Sequence, residues 1–138
     1  MWIERITPMV MTILTVKLNA KYHDKYPDGI NVTNKNQNMT AADLPCVYVQ
    51  ELSMMELARE LEPGEYSAVQ SDLQIEVYSN MSQTEAKQIA NAVTDIMSDY
   101  GYGAMSLPYP MNGNGIYRTV SRFRRTVGSD DVNKIFNS

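Results

Sequence analysis

The sequence predicts an α+β fold in two layers, a mainly antiparallel four-stranded sheet with two helices packed on one face. Three observations predict it. Ser71 to Tyr100 reads as a strand, a two-residue corner and a helix. Cys46 to Leu52 and Ile116 to Val127 are rich in β-branched and aromatic residues, the composition of strands. The element order is helix, strand, strand, helix, strand, strand, and strands joined by short turns pair antiparallel. Residues 1–128 are expected to form one domain, with 129–138 a polar tail.

Trp2 to about Tyr22 reads as a helix with a broad apolar face of Met9, Val10, Ile13, Leu14 and Val16. Two starts are open. Thr7 caps a helix with Pro8 at its first position, or Ile3 begins it and Pro8 falls in the first turn. Lys17, Lys21 and Lys25 place positive charge toward its end, where the helix dipole favours it. Pro27-Asp28-Gly29 is a turn. The polar stretch after it carries a weak signal for a short edge strand at Ile30 to Thr33.

Cys46 to Leu52 follows Pro45, a residue tolerated at a strand start. Ser53 to Glu62 has two readings. Met54, Leu57 and Leu61 share a face if it is a helix ended by Pro63-Gly64. Otherwise it is a long projecting loop or hairpin, a form that is often functional at this length.

In the central unit, Leu73, Ile75 and Val77 alternate with Gln74, Glu76 and Tyr78, the period of a half-buried strand. Ser82 and Glu85 have the spacing of a capping box. Ala86, Ile89, Ala90, Val93, Ile96, Met97 and Tyr100 then form one helical stripe, and Gly101 stands where a left-handed cap is expected. Tyr102 to Leu107 reads as a short strand, Pro108 to Gly115 as a turn or flexible loop, and Ile116 to Val127 as the closing strand.

The 138 residues carry a net charge of −4. With a pI near 4.9, that balance argues against general nucleic-acid binding. One cysteine excludes an internal disulfide. The apolar run Met9 to Val16 is too short to cross a bilayer and lacks a basic leader and a cleavage site, so no signal peptide or membrane partner is expected.

The one histidine, His23, lies among Lys21, Asp24 and Lys25 at a helix end, a solvated setting that speaks against triad catalysis. One Cys and one His cannot make a typical structural zinc site. Gly101-x-Gly103 and Gly113-x-Gly115 lack the rest of a dinucleotide fingerprint, and no P-loop is present. No catalytic residue, metal or cofactor is therefore expected.

Charge placement is more informative. Arg118, Arg122, Arg124 and Arg125 stand within eight residues of the closing strand. Strand alternation puts Arg118, Val120, Arg122 and Arg124 on one face and Thr119, Ser121, Phe123 and Arg125 on the other. Glu51, Glu56, Glu60, Glu62 and Glu65 crowd an acidic segment. Three readings compete: cross-strand pairing of the arginines with Glu76, Glu51 or Gln74 on the open sheet face, contact with nucleic acid, or contact of the basic strand with a neighbour's acidic segment. That last contact would be a heterologous interface, which closes into a ring when the rotation permits. Tyr100, Tyr102, Tyr109 and Tyr117, with Met105 and Met111, form a candidate exposed contact patch, with ordinary core and rim packing as the alternative.

The blocks LPCVYVQEL (Leu44 to Leu52), SDLQIEVYSN (Ser71 to Asn80), EAKQIANAVTDIMSDYGY (Glu85 to Tyr102) and YRTVSRFRRTVG (Tyr117 to Gly128) resemble, in character, order and spacing, the tail terminator or tail completion proteins of long-tailed phages. The resemblance implies a non-enzymatic virion protein. Such subunits form a ring, usually a hexamer, that caps the head-proximal end of the tail tube and joins it to the neck. The implied partners are further copies of the chain, the tail tube protein, a neck or connector protein and, in contractile tails, the sheath. DNA would pass through the lumen without specific binding, helped by acidic residues of Glu51 to Glu65 if they line it. Ser53 to Tyr66 and Pro108 to Gly115 match no pattern of that family. Two further readings stand: a head–tail connector of the neck, and a small ligand-binding or enzymatic domain using the Tyr102 to Gly115 loop.

Overall fold

The computed structural model describes residues 2–34, 44–59, 66–111 and 116–128. A 3₁₀ turn, Ile3–Arg5, leads into α1 (Ile6–Tyr22); there follow β1 (Asn31–Thr33), β2 (Cys46–Arg59), β3 (Tyr66–Ser79), α2 (Gln83–Asp99), β4 (Gly103–Pro110) and β5 (Tyr117–Gly128). The fold is α+β. Its sheet has five strands in the order β1-β2-β3-β5-β4, not the expected four, and it is mixed, because β1 runs parallel to β2. The other neighbours are antiparallel. The added strand is the three-residue Asn-Val-Thr at the edge, too short and polar to show a clear alternation.

β3 is the spine of the sheet. It pairs with β2 from Tyr78 to Tyr66 and with β5 from Ser79 to Ala68. Both β2 and β3 are longer than expected, at 14 residues each. Of the two readings for the stretch after Leu52, the hairpin holds and the helix does not. Ser53 to Arg59 continues β2, because cross-strand pairing with Asp72 to Tyr66 satisfies its backbone. A bulge between Glu51 and Ser53 shifts the register by one residue.

Both helices lie on one face. Val10, Leu14 and Leu18 of α1 and Ala86, Ile89, Ala90, Val93 and Met97 of α2 pack on Val47, Val49, Leu73, Ile75, Val77 and Phe123. Fourteen strand residues span about 46 Å, whereas the 17 residues of α2 span about 26 Å. The strands therefore outrun α2. A second cluster fills the space beyond it: Ile6, Val69 and Val127, with Trp2, Ile3, Met9, Met54 and Tyr100 packed against them. The start of α1 thus braces the root of the β2–β3 hairpin. Pro8 falls in the first turn of α1, and Thr7 is not its cap.

The corner into α2 departs from a simple capping box. Ser82 Oγ accepts from Glu85 N at 3.0 Å, but the Glu85 carboxylate turns away from the Ser82 amide. It accepts instead from Ser79 Oγ at 2.9 Å, and that hydroxyl accepts from Met81 N at 3.0 Å. The last residue of β3 therefore ties strand, corner and helix together. At the other end, Tyr102 N donates to Met97 O (2.9 Å) and Gly101 N to Ser98 O (3.0 Å), a Schellman closure. Gly101 has φ +86°, and a Cβ there would lie 3.0 Å from the Arg125 guanidinium carbon. Backbone sign and close approach both demand glycine.

Candidate functional site: the open face of the sheet

Among the described residues, the face of β3 and β5 opposite the helices carries a ladder of polar side chains. Strand parity places them: Asp72, Gln74, Glu76 and Tyr78 of β3 register with Arg124, Arg122, Val120 and Arg118 of β5. Arg124 grips Asp72 with two bonds, Nε to Oδ1 at 2.8 Å and Nη2 to Oδ2 at 3.0 Å. This fork holds the Asp72 carboxyl below its ordinary range and pushes the guanidinium up. Arg118 pairs with Glu76 and lies over the Tyr78 ring, 5.8 Å from its centroid. Glu76 also accepts from Tyr78 Oη at 3.1 Å and from Gln74 Nε2 at 3.3 Å. Its carboxylate is buried among these donors, so the charge is both desolvated and compensated. Burial pushes the Tyr78 phenol up.

Arg122 is different. Its Nε donates to Gln74 Oε1 at 3.0 Å, and among the described residues its guanidinium meets no carboxylate. Gln74 fixes the plane of the group without neutralising it.

The cross-strand pairing expected for the arginines is present in two of its three partners, Glu76 and Gln74. Glu51 is not a partner. It registers with Leu73 and so lies on the helix side, where it accepts from Thr7 Oγ1 at 2.8 Å. Glu56 registers with Val69, also on the helix side, and is exposed. Glu60, Glu62 and Glu65 lie outside the described residues. Arg125 turns toward the helices and donates to Tyr100 O at 2.5 Å, closing the end of α2. The sequence missed Asp72, which takes the strongest arginine contact. Its partner follows from the β3–β5 register, and the sequence does not state register.

The expected aromatic patch divides. Tyr109, Met105 and Met111 are exposed. Tyr102 is not: it is buried, with its hydroxyl 2.9 Å from Ser71 Oγ, and burial pushes its phenol up. Tyr100 and Tyr117 are half-buried. Gly103 to Pro110, expected in part as a loop, is strand β4 throughout, and its two prolines sit on an edge where a missing donor is tolerated.

His23 is exposed beside Asp24, 3.0 Å away. Among the described residues no group of three or more His, Cys, Asp or Glu side chains has metal-binding geometry. No helix among them is long and apolar enough to cross a membrane. A polar pocket of about 680 Å³ opens between the end of α1 and β1, lined among others by Asn19, Tyr26, Asn31 and Leu44. No protein-family model matches the chain, and no curated protein is significantly similar to it.

Proposed function

We propose that the chain is a structural subunit that assembles into a ring, caps the head-proximal end of a phage-type tail tube and joins it to the neck. One observation carries the reading. An arginine-bearing face of the sheet and two acidic residues of β2, Glu51 and Glu56, lie on opposite sides of the same subunit. Unlike patches facing different directions can make a head-to-tail contact, and repetition of that contact closes a ring when the rotation permits. The block pattern shared with tail terminator proteins supports the same reading. So does the hairpin root, stiffened by its own small core, since a rigid projection loses little entropy on docking. The expected partners are further copies of the chain, probed first, and then tube and neck proteins.

The test is sedimentation and electron microscopy of the purified protein, alone and with tube protein. Rings, or caps on tube ends, are the expected outcome. Protein that stays monomeric in both conditions overturns the reading. Capture by a portal or adaptor protein, with no affinity for tubes, would move the chain to a connector position in the neck.

A further inference from the structure

We infer that Arg122 is the receptor for the Glu56 carboxylate on β2 of the next copy of the chain; the inference rests on the ring reading above.

Charge on the open face is unevenly paired. Four arginines occupy β5, and three already have structural work. Arg118 neutralises Glu76, Arg124 neutralises Asp72, and Arg125 caps the Tyr100 carbonyl on the far side. Arg122 stands between the two paired arginines with a neutral amide as its partner. One positive charge is left at the centre of the ladder. The Nε bond to Gln74 also orients the guanidinium, leaving its terminal nitrogens for an external acceptor. A fork held in place loses less freedom when a carboxylate docks, and two parallel N–H···O bonds become available.

The surroundings suit a protein partner. Leu52 and Met55 of β2 are 42% and 52% exposed, and Met105 and Tyr109 of β4 are 51% and 38% exposed. On the open face itself, register places Tyr109 of the adjacent β4 opposite Val120 and Met55 of β2, beyond β3, opposite Gln70, and exposed Tyr and Met around an arginine have the composition of an interface core. Nucleic acid is disfavoured by the chain's net charge of −4 and by the carboxylates that already hold Arg118 and Arg124.

The acidic complement is on the same chain but on the other side of the sheet. Glu56 is exposed on the helix side of the hairpin, whereas Arg122 is on the opposite face. One molecule cannot bring the two together. Two molecules can, with the hairpin of one reaching the open face of the next. Because the two residues lie on opposite faces, the contact can repeat head to tail from copy to copy, and it closes into a ring when the rotation permits.

The experiment is a double-mutant cycle read by sedimentation at low and high salt, with the variants Arg122→Gln, Arg122→Lys, Glu56→Gln and the double Arg122→Gln/Glu56→Gln. Arg122→Gln should weaken assembly on the order of tenfold and flatten its salt dependence. Arg122→Lys, which keeps the charge but loses the fork, should fall between it and wild type. The double variant should assemble no worse than the poorer single one. Melting temperatures of all variants should match wild type, because the Arg122 side chain is exposed. Wild-type rings with undiminished assembly of Arg122→Gln, or additive losses in the double variant, overturn the inference and leave the ring standing. A wild-type protein that remains monomeric with tube protein overturns both.

Discussion

The two faces of the β3–β5 pair are built from the same two strands and differ in almost everything else. On the helix side, Leu73, Ile75, Val77 and Phe123 have no exposed surface. They belong to one buried cluster with apolar side chains of both helices and the neighbouring strands, held by non-directional contact. On the open side, residues one step along the same chain form named, directional bonds: Arg124 to Asp72, Arg122 to Gln74, Arg118 to Glu76. A period of two thus separates the residues that make the fold from those free to meet a partner. The open face is not idle in stability, since Glu76 and Val120 are buried there too. What it lacks is a packed layer above it.

This contrast can be broken from either side. Truncating the helix-facing side should cost most: Phe123→Ala removes a fully buried ring from the main core and should destabilise by about 3–5 kcal/mol, measured by chemical denaturation. A loss below about 1 kcal/mol would mean that the helices do not clamp this face. Next comes the buried carboxylate of the open face. Glu76→Ala strips Arg118, Tyr78 and Gln74 of their shared acceptor and should cost about 1–3 kcal/mol. Adding Arg118→Ala should recover part of that loss, because the unpaired cation goes with it.

The smallest effect belongs to the exposed fork. Asp72 has its pKa lowered by Arg124, so its contribution is present above the ordinary carboxylate pKa and disappears as pH falls through the lowered value. Comparing wild type with Asp72→Asn by denaturation at neutral pH and near pH 3 should show a gap that narrows on acidification. A gap that stays constant would mean that the fork adds nothing to folding.

How far the sequence disclosed these faces varied with the kind of signal. The β3–α2 unit was legible because alternation, a Ser-x-x-Glu spacing and a glycine stop are all local. The parity of β5 was legible for the same reason, and it correctly separated Arg125 from the other arginines. The fate of Ser53 to Glu62 stayed open because Met54 and Leu57 satisfy helical spacing as well as a strand's demands, and only pairing with β3 decides. Glu51 could have been placed: it shares parity with Val47 and Val49 and so belongs on the helix side. Asp72 as the partner of Arg124 could not, because register between strands 52 residues apart is fixed by the assembled sheet. The choice of Ser79 over the Ser82 amide as partner for Glu85 is likewise tertiary, since it needs the strand end seated beneath the helix start.

The bulge at Leu52 sets where this chain can change length. Before it, even-numbered residues of β2 share the open face; from Ser53 to Glu56, odd-numbered ones do, as Ser53 opposite Asp72 and Met54 opposite Ser71 attest. One supernumerary residue absorbs that change of phase. Deleting Leu52 would shorten the strand by one position while every other residue kept its partner and its side of the sheet. A deletion two residues earlier would turn Glu51 and its neighbour onto the wrong sides. Chains of this design can therefore differ in length at that position without altering either surface, and a comparison that assumes unbroken alternation along β2 will lose phase there and again between Glu56 and Ala58.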